Sequence, residues 1–203
     1  MLQIHEKLSN EFFRQKDVLG IAQSLIGKQL FTQIDGQLTG GIIAETEAYN
    51  GISDRASHAY GGRKTNRTEV MYREGGIAYV YFSYGMHHLF NVVTGSNGDP
   101  KAVLIRGIIP TVGIETILKR RNLLKTNTTL VNGPAKLCQA LGISLKQNAI
   151  SLQGDTIWIE KYWGVGHGDI LITTRVGIDY AGEDAHLPYR FILMDKDYRT
   201  AKK

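Results

Sequence analysis

Cysteine is almost absent from the chain. With Cys138 alone, no internal disulfide can form and no thiolate metal site can be built, which fits a reducing compartment. No run is apolar for long enough to span a membrane. The opening MLQIHEKLSN lacks the basic-then-apolar layout of a signal peptide, so a cytoplasmic protein is expected. Neither a P-loop nor a dinucleotide-binding fingerprint occurs, and no serine sits in a Gly-x-Ser-x-Gly elbow. The histidines His58, His87, His88, His167 and His186 show no zinc-ligand spacing, so neither metal nor cofactor is expected. No linker or repeat divides the 203 residues, which read as one domain, 1–203, large enough for a proper core.

What is present is ordinary in amount and uneven in placement. The 42% hydrophobic and 21% charged content belongs to a globular protein, and 23 glycines suit turn-rich β structure. A net charge of +5 allows an anionic partner such as nucleic acid without establishing one.

The periodicities predict an α+β fold: a mixed, largely antiparallel sheet edged by helices. A helix is predicted over 17–26, capped by Asp17 and stopped by Gly27. Strands over 28–34 and 37–48 flank Asp35-Gly36, a dipeptide that tolerates the positive φ of a tight hairpin turn. A long polar, basic connection follows over 50–76, where loops often carry function. Strands at 77–82, 87–94 and 102–109 form a meander, with turns at Tyr84-Gly85-Met86 and 97–99. Helices are predicted over 114–124 and between Pro134 and Gly142, and further strands at 156–160, 169–176 and 190–194.

One stretch concentrates chemistry: GIIAETEAYNGISDRASH, residues 41–58. Alternation along an extended chain turns Glu45, Glu47 and Tyr49 to one face. Glu47 is the leading candidate for a general base. The commoner reading of two such acids is a solvated pair on an exposed strand face, and they stand too near in sequence to straddle a sugar. Arg106 follows Val103-Leu104-Ile105; if buried it needs an anionic partner, for which Glu47 is a candidate. Tyr49, Tyr60, Tyr72, Tyr79, Tyr81 and Tyr84 fall in one short span, as stacking platforms for bases or as ordinary sheet packing, the latter preferred for Tyr79. Tyr84, beside Gly85 in a turn, is the ring most suited to protrude. Arg63, Lys64, Arg67 and Arg73 would suit phosphates, although a solvated surface explains any one of them as well.

Four segments together closely resemble the alkyladenine (3-methyladenine) DNA glycosylase family: ETEAYNGISDRASHAYGGRKTNRTEVMY, GIAYVYFSYGMHHLFNVVTGSNGDPKAVLIRGIIP, NGPAKLCQALGI and TTRVGIDYAGEDAHLPYRF. The resemblance covers most of the chain, from about Gly27 to Leu193, in the family's order. The resemblance implies a monofunctional enzyme of base-excision repair, most simply a monomer, with duplex DNA carrying damaged purines as partner. Such an enzyme flips an alkylated or deaminated purine (3-methyladenine, 7-methylguanine or hypoxanthine) into a pocket and hydrolyses its N-glycosidic bond, leaving an abasic site. By matching positions, Glu47 would deprotonate the attacking water, with Arg106 and the Val176 carbonyl holding it. Tyr49, His58 and Tyr81 would sandwich the base, and Asn91 would crowd the amino group of normal guanine. Tyr84, with Met86 beside it, would wedge into the stack, and Glu45 is left without a chemical role. The sequence departs from the family where Asp184 replaces a frequent Trp, and where His87 and His88 follow the wedge. The rival readings are a damaged-base-binding module without catalysis and a hydrolase of free nucleosides.

Overall fold

A computed structural model describes residues 6–83, 85–126, 130–162 and 170–194. The expectations for Tyr84, His167 and residue 169 of one strand lie outside the described residues.

Among the described residues, eight strands form a single sheet: β1 (Gln29–Ile34), β2 (Gln37–Tyr49), β3 (Ala78–Ser83), β4 (His87–Thr94), β5 (Lys101–Val112), β6 (Ile157–Glu160), β7 (Ile170–Thr173) and β8 (Arg190–Leu193). The main path runs β3-β4-β5-β2-β1-β6, and β8 joins β2 and β7 beside it. Every strand pairing among the described residues is antiparallel. The α+β class therefore stands. No helix among the described residues is long and apolar enough to cross a membrane.

β2 is the axis of the sheet. Its 13 residues pair with β5 on one side, and on the other with β1 early and β8 late. The hairpin into it turns at Asp35 and Gly36, both at positive φ (55° and 71°), as the dipeptide implied. Gly41 is obligatory for a steric reason: a Cβ there would lie 2.2 Å from the Ile109 carbonyl oxygen.

The β2–β5 ladder shifts register on both sides of Glu45, so that Ala44 and Arg106 have no cross-strand partner. The shift re-aims the chain. Ile43 and Ala44 both enter the main core, whereas Thr46 turns toward α2 and bonds the Ala22 carbonyl. Glu45, Glu47 and Tyr49 then share the opposite face, as alternation requires.

Helices pack on the core face. α1 (Asn10–Phe13) is too short to have shown a period in the sequence. α2 (Val18–Leu25) is capped by Asp17, whose side chain accepts from the Leu19 N–H, and it buries Val18, Ile21, Ala22 and Leu25. α3 (Ile114–Arg120) stops short of the predicted Leu124, because Asn122 takes a left-handed conformation at φ 51°. α4 (Pro134–Leu141) begins on its proline and ends on Gly142 as foreseen. β5 outruns its predicted end at residue 109; Pro110 is tolerated because it pairs with Gly41 beside an irregularity in the ladder. β7 ends at Thr173, and residues 174–176 leave it to cross toward β2.

Candidate active site

The two glutamates on β2 are not a solvated pair. Both are 0% exposed, which overturns that reading. Withdrawing a carboxylate from water costs on the order of several kcal/mol unless cations and hydrogen bonds replace the solvent, and both are present. Arg106, freed by the register shift, reaches both acids: its Nε lies 3.0 Å from Glu45 Oε1 and its Nη1 3.2 Å from Glu47 Oε1. Arg190, opposite Glu47 on β8, places Nε 2.7 Å from Glu45 Oε1. Glu45 thus acquires a structural duty, anchoring two guanidiniums beside Glu47. Burial alone would lower the Arg106 pKa, but Glu47 and Glu45 outweigh it and hold it above its ordinary value.

Glu47 is also fixed by uncharged donors. The Val176 backbone N–H donates to Oε1 at 2.9 Å, and the Tyr49 hydroxyl donates to Oε2 at 2.9 Å. Burial and then the Glu47 charge push the Tyr49 hydroxyl well above its usual pKa, so it remains a donor. Glu47, Arg106 and Val176 are therefore one cluster. The contact found for Val176 runs through its N–H, next to the carbonyl proposed from the resemblance.

An aromatic pocket adjoins the cluster. Tyr49, His58, Tyr79, Tyr81, Asn91 and Tyr180 line a cavity of about 40 Å³. That volume holds roughly one water and is far below the several hundred Å³ of a ligand pocket. His58 packs edge-on to Tyr81 with ring centres 4.7 Å apart. The Arg67 guanidinium lies 4.7 Å over the Tyr81 ring, with Nη2 3.4 Å from His58 Nε2. Burial, then the Arg67 and Arg63 charges, push the His58 pKa down to about 4. The imidazole is therefore neutral near pH 7. Arg67 can only donate, so Nε2 accepts, and the ring proton sits on Nδ1, 2.9 Å from the Tyr79 hydroxyl. Tyr79 is buried as the packing reading expected, and it also orients His58. Asn91, cross-strand from Tyr79, donates its side-chain amide to the Tyr79 carbonyl at 3.1 Å.

A larger cleft opens beside this cavity and shares His58 and Tyr180 with it. It measures about 480 Å³ and is rimmed by Arg55, Arg63 and Arg67. Lys64 stands on the same exposed segment, its Nζ 5.4 Å from the Tyr72 ring centre. Met86 is 68% exposed at the β3–β4 turn. Among the described residues, no group of three His, Cys, Asp or Glu side chains is placed to hold a metal ion.

Four members of the site carry no role in the sequence analysis. Arg190 follows Pro188-Tyr189 and Arg175 ends a strand-like run; each resembles Arg106 in being a cation beside apolar residues. Asp54, which binds Arg175, carries no local signal. Tyr180 is a further aromatic wall and lies far along the chain from the others.

The family model for methylpurine-DNA glycosylase matches residues 11–197. A Chlamydia felis protein is 51% identical over 187 residues, covering 92% of this chain and 95% of its own. A Chlamydia pneumoniae protein is 48% identical over 191 residues (94% and 96%), and one from Bacillus cereus is 49% identical over 190 residues (88% and 92%). All three bear the name "Putative 3-methyladenine DNA glycosylase".

Proposed function

The chain belongs to the methylpurine-DNA glycosylase family of DNA-repair enzymes, and on that premise we propose that it excises 3-methyladenine, 7-methylguanine and hypoxanthine from duplex DNA by base flipping. One observation carries the reading: Glu47 is fully buried, yet Arg106, the Val176 N–H and the Tyr49 hydroxyl aim at its carboxylate beside an aromatic cavity. Such an anion is held in place to take a proton.

In this reading a water attacks the sugar C1′ as the N-glycosidic bond breaks. The bonding pair leaves with the purine, and Glu47 takes the proton from the water. Arg106 and the Val176 carbonyl hold that water. A purine methylated at N3 or N7 is cationic and becomes neutral on leaving, so it departs without help; hypoxanthine depends more on acid assistance. Tyr49, His58 and Tyr81 flank the base. A neutral His58 puts no charge against a cationic purine, and electron-rich rings attract it. Asn91 excludes the amino group of normal guanine. Since the cavity is smaller than a purine, His58, Tyr180 or Arg67 must yield for a base to enter.

The DNA itself is met outside the pocket. Arg63, Lys64 and Arg67 contact phosphates, and Tyr84 with Met86 fills the gap left by the flipped nucleotide. Water as nucleophile requires no catalytic lysine, so no strand cleavage accompanies excision. The test uses duplexes with a single 3-methyladenine, 7-methylguanine or hypoxanthine, treated with alkali after incubation to break the strand at abasic sites. Alkali-dependent breaks at the lesion support the reading. Binding without breaks would leave a damage-recognition module instead.

A further inference from the structure

Arg175 and Asp54 form a buried ion pair for which the chemistry above has no use. Arg175 Nη1 lies 2.5 Å from Asp54 Oδ2 and Nη2 lies 2.9 Å from Oδ1, between side chains 0% and 1% exposed. The same guanidinium donates to the Ala48 carbonyl at 3.0 Å and to the Asp184 carbonyl at 3.2 Å. Its central carbon stands 5.0 Å from the Tyr49 ring centre and 5.1 Å from that of Tyr189. The buried Nε has no hydrogen-bond partner among the described residues.

A buried ion pair with only a structural duty is often replaceable by apolar side chains of similar volume. The contacts of this one point elsewhere. Arg175 immediately precedes Val176, whose N–H grips Glu47. Ala48, whose carbonyl Arg175 binds, sits between Glu47 and Tyr49 on β2. The guanidinium also covers one face of Tyr49, leaving that ring a single face for the cavity. Asp54 holds the arginine from the opposite segment and accepts from the Asn50 and Ala56 N–H groups, which ties the turn after β2 to the same point.

We infer that Arg175, oriented by Asp54, is a positioning residue for the glycosylase reaction: it fixes the Val176 backbone against Glu47 and the Tyr49 ring against the base cavity. The inference rests on Glu47 being the base, as proposed above. Its planar fork satisfies Asp54 and two carbonyls at once, which the single ammonium of lysine cannot reproduce.

The test measures single-turnover excision of hypoxanthine from a duplex, with lesion-DNA binding and thermal unfolding measured separately. Arg175→Lys is expected to slow excision by about 10²-fold while binding stays within about threefold of wild type, because misplacement of a catalytic group costs rate before affinity. The apolar pair Arg175→Met with Asp54→Leu is expected to fold and remain as slow, since it keeps packing without restoring the fork. Wild-type rates in either variant overturn the inference. A rate loss that merely follows lost binding or lost folded protein overturns it too. Glu47→Gln in the same assay separates the two claims. If it is inactive while Arg175→Lys is fully active, only the positioning role falls; if it is fully active, the proposed function falls first.

Discussion

His58 offers a quantitative test, because burial and two nearby arginines set its titration. Burial first, and then the Arg67 and Arg63 charges, bring its pKa from 6.5 to about 4. The unfolded chain therefore takes up a proton as pH falls through about 6.5, while the folded protein resists until about 4. The sign follows: acidification stabilises the unfolded state, and stability falls across that window. The full difference is worth roughly 3 kcal/mol, of which about 1.4 kcal/mol is lost by about pH 5.5 and about 2.5 kcal/mol by about pH 4.5. Urea unfolding of wild type and His58→Gln at several pH values isolates this contribution, because other titrating groups cancel in the difference. The curves should converge or cross as pH falls, the variant losing less. Titration of the His58 imidazole by NMR reads the same quantity directly, and Arg67→Gln should raise its midpoint. A His58 midpoint near 6.5 in the folded protein, or parallel stability curves, would refute the described environment.

Arg106→Gln leaves Glu45 and Glu47 buried with less positive charge, and should cost about 3–5 kcal/mol by equilibrium unfolding; a loss below about 1 kcal/mol would mean the network is not what stabilises the acids. Lesion-duplex binding should weaken steeply with salt, and each of Arg63→Ala, Lys64→Ala and Arg67→Ala should reduce the slope of log K against log salt by about 0.9. An unchanged slope removes that residue from the phosphate contacts.

Local signals in the chain were legible because their causes are local. Asp35-Gly36 turns where a positive φ is needed, Asp17 caps α2, and Pro134 and Gly142 bound α4. Alternation correctly turned Glu45, Glu47 and Tyr49 to one face. Whether that face met water was not legible, since it is covered by β8 and by residues 174–176, more than a hundred residues later. The register shift that frees Arg106 is likewise a property of two strands together, although the apolar run before it pointed to burial. Glu45 looked idle for the same reason: Arg190, one of its partners, lies 145 residues away on β8. The family resemblance named the substrate class, whereas the small volume of the aromatic cavity emerges only from side-chain packing.

In the proposed reaction the Glu47 carboxylate activates the water. Single-turnover excision by Glu47→Gln tests it most directly, because glutamine keeps the shape and removes the basicity. Lesion-DNA binding should survive while excision of 3-methyladenine and hypoxanthine collapses by at least about 10²-fold, the scale of general-base catalysis. Excision at the wild-type rate would contradict it and move the activation of water to another group.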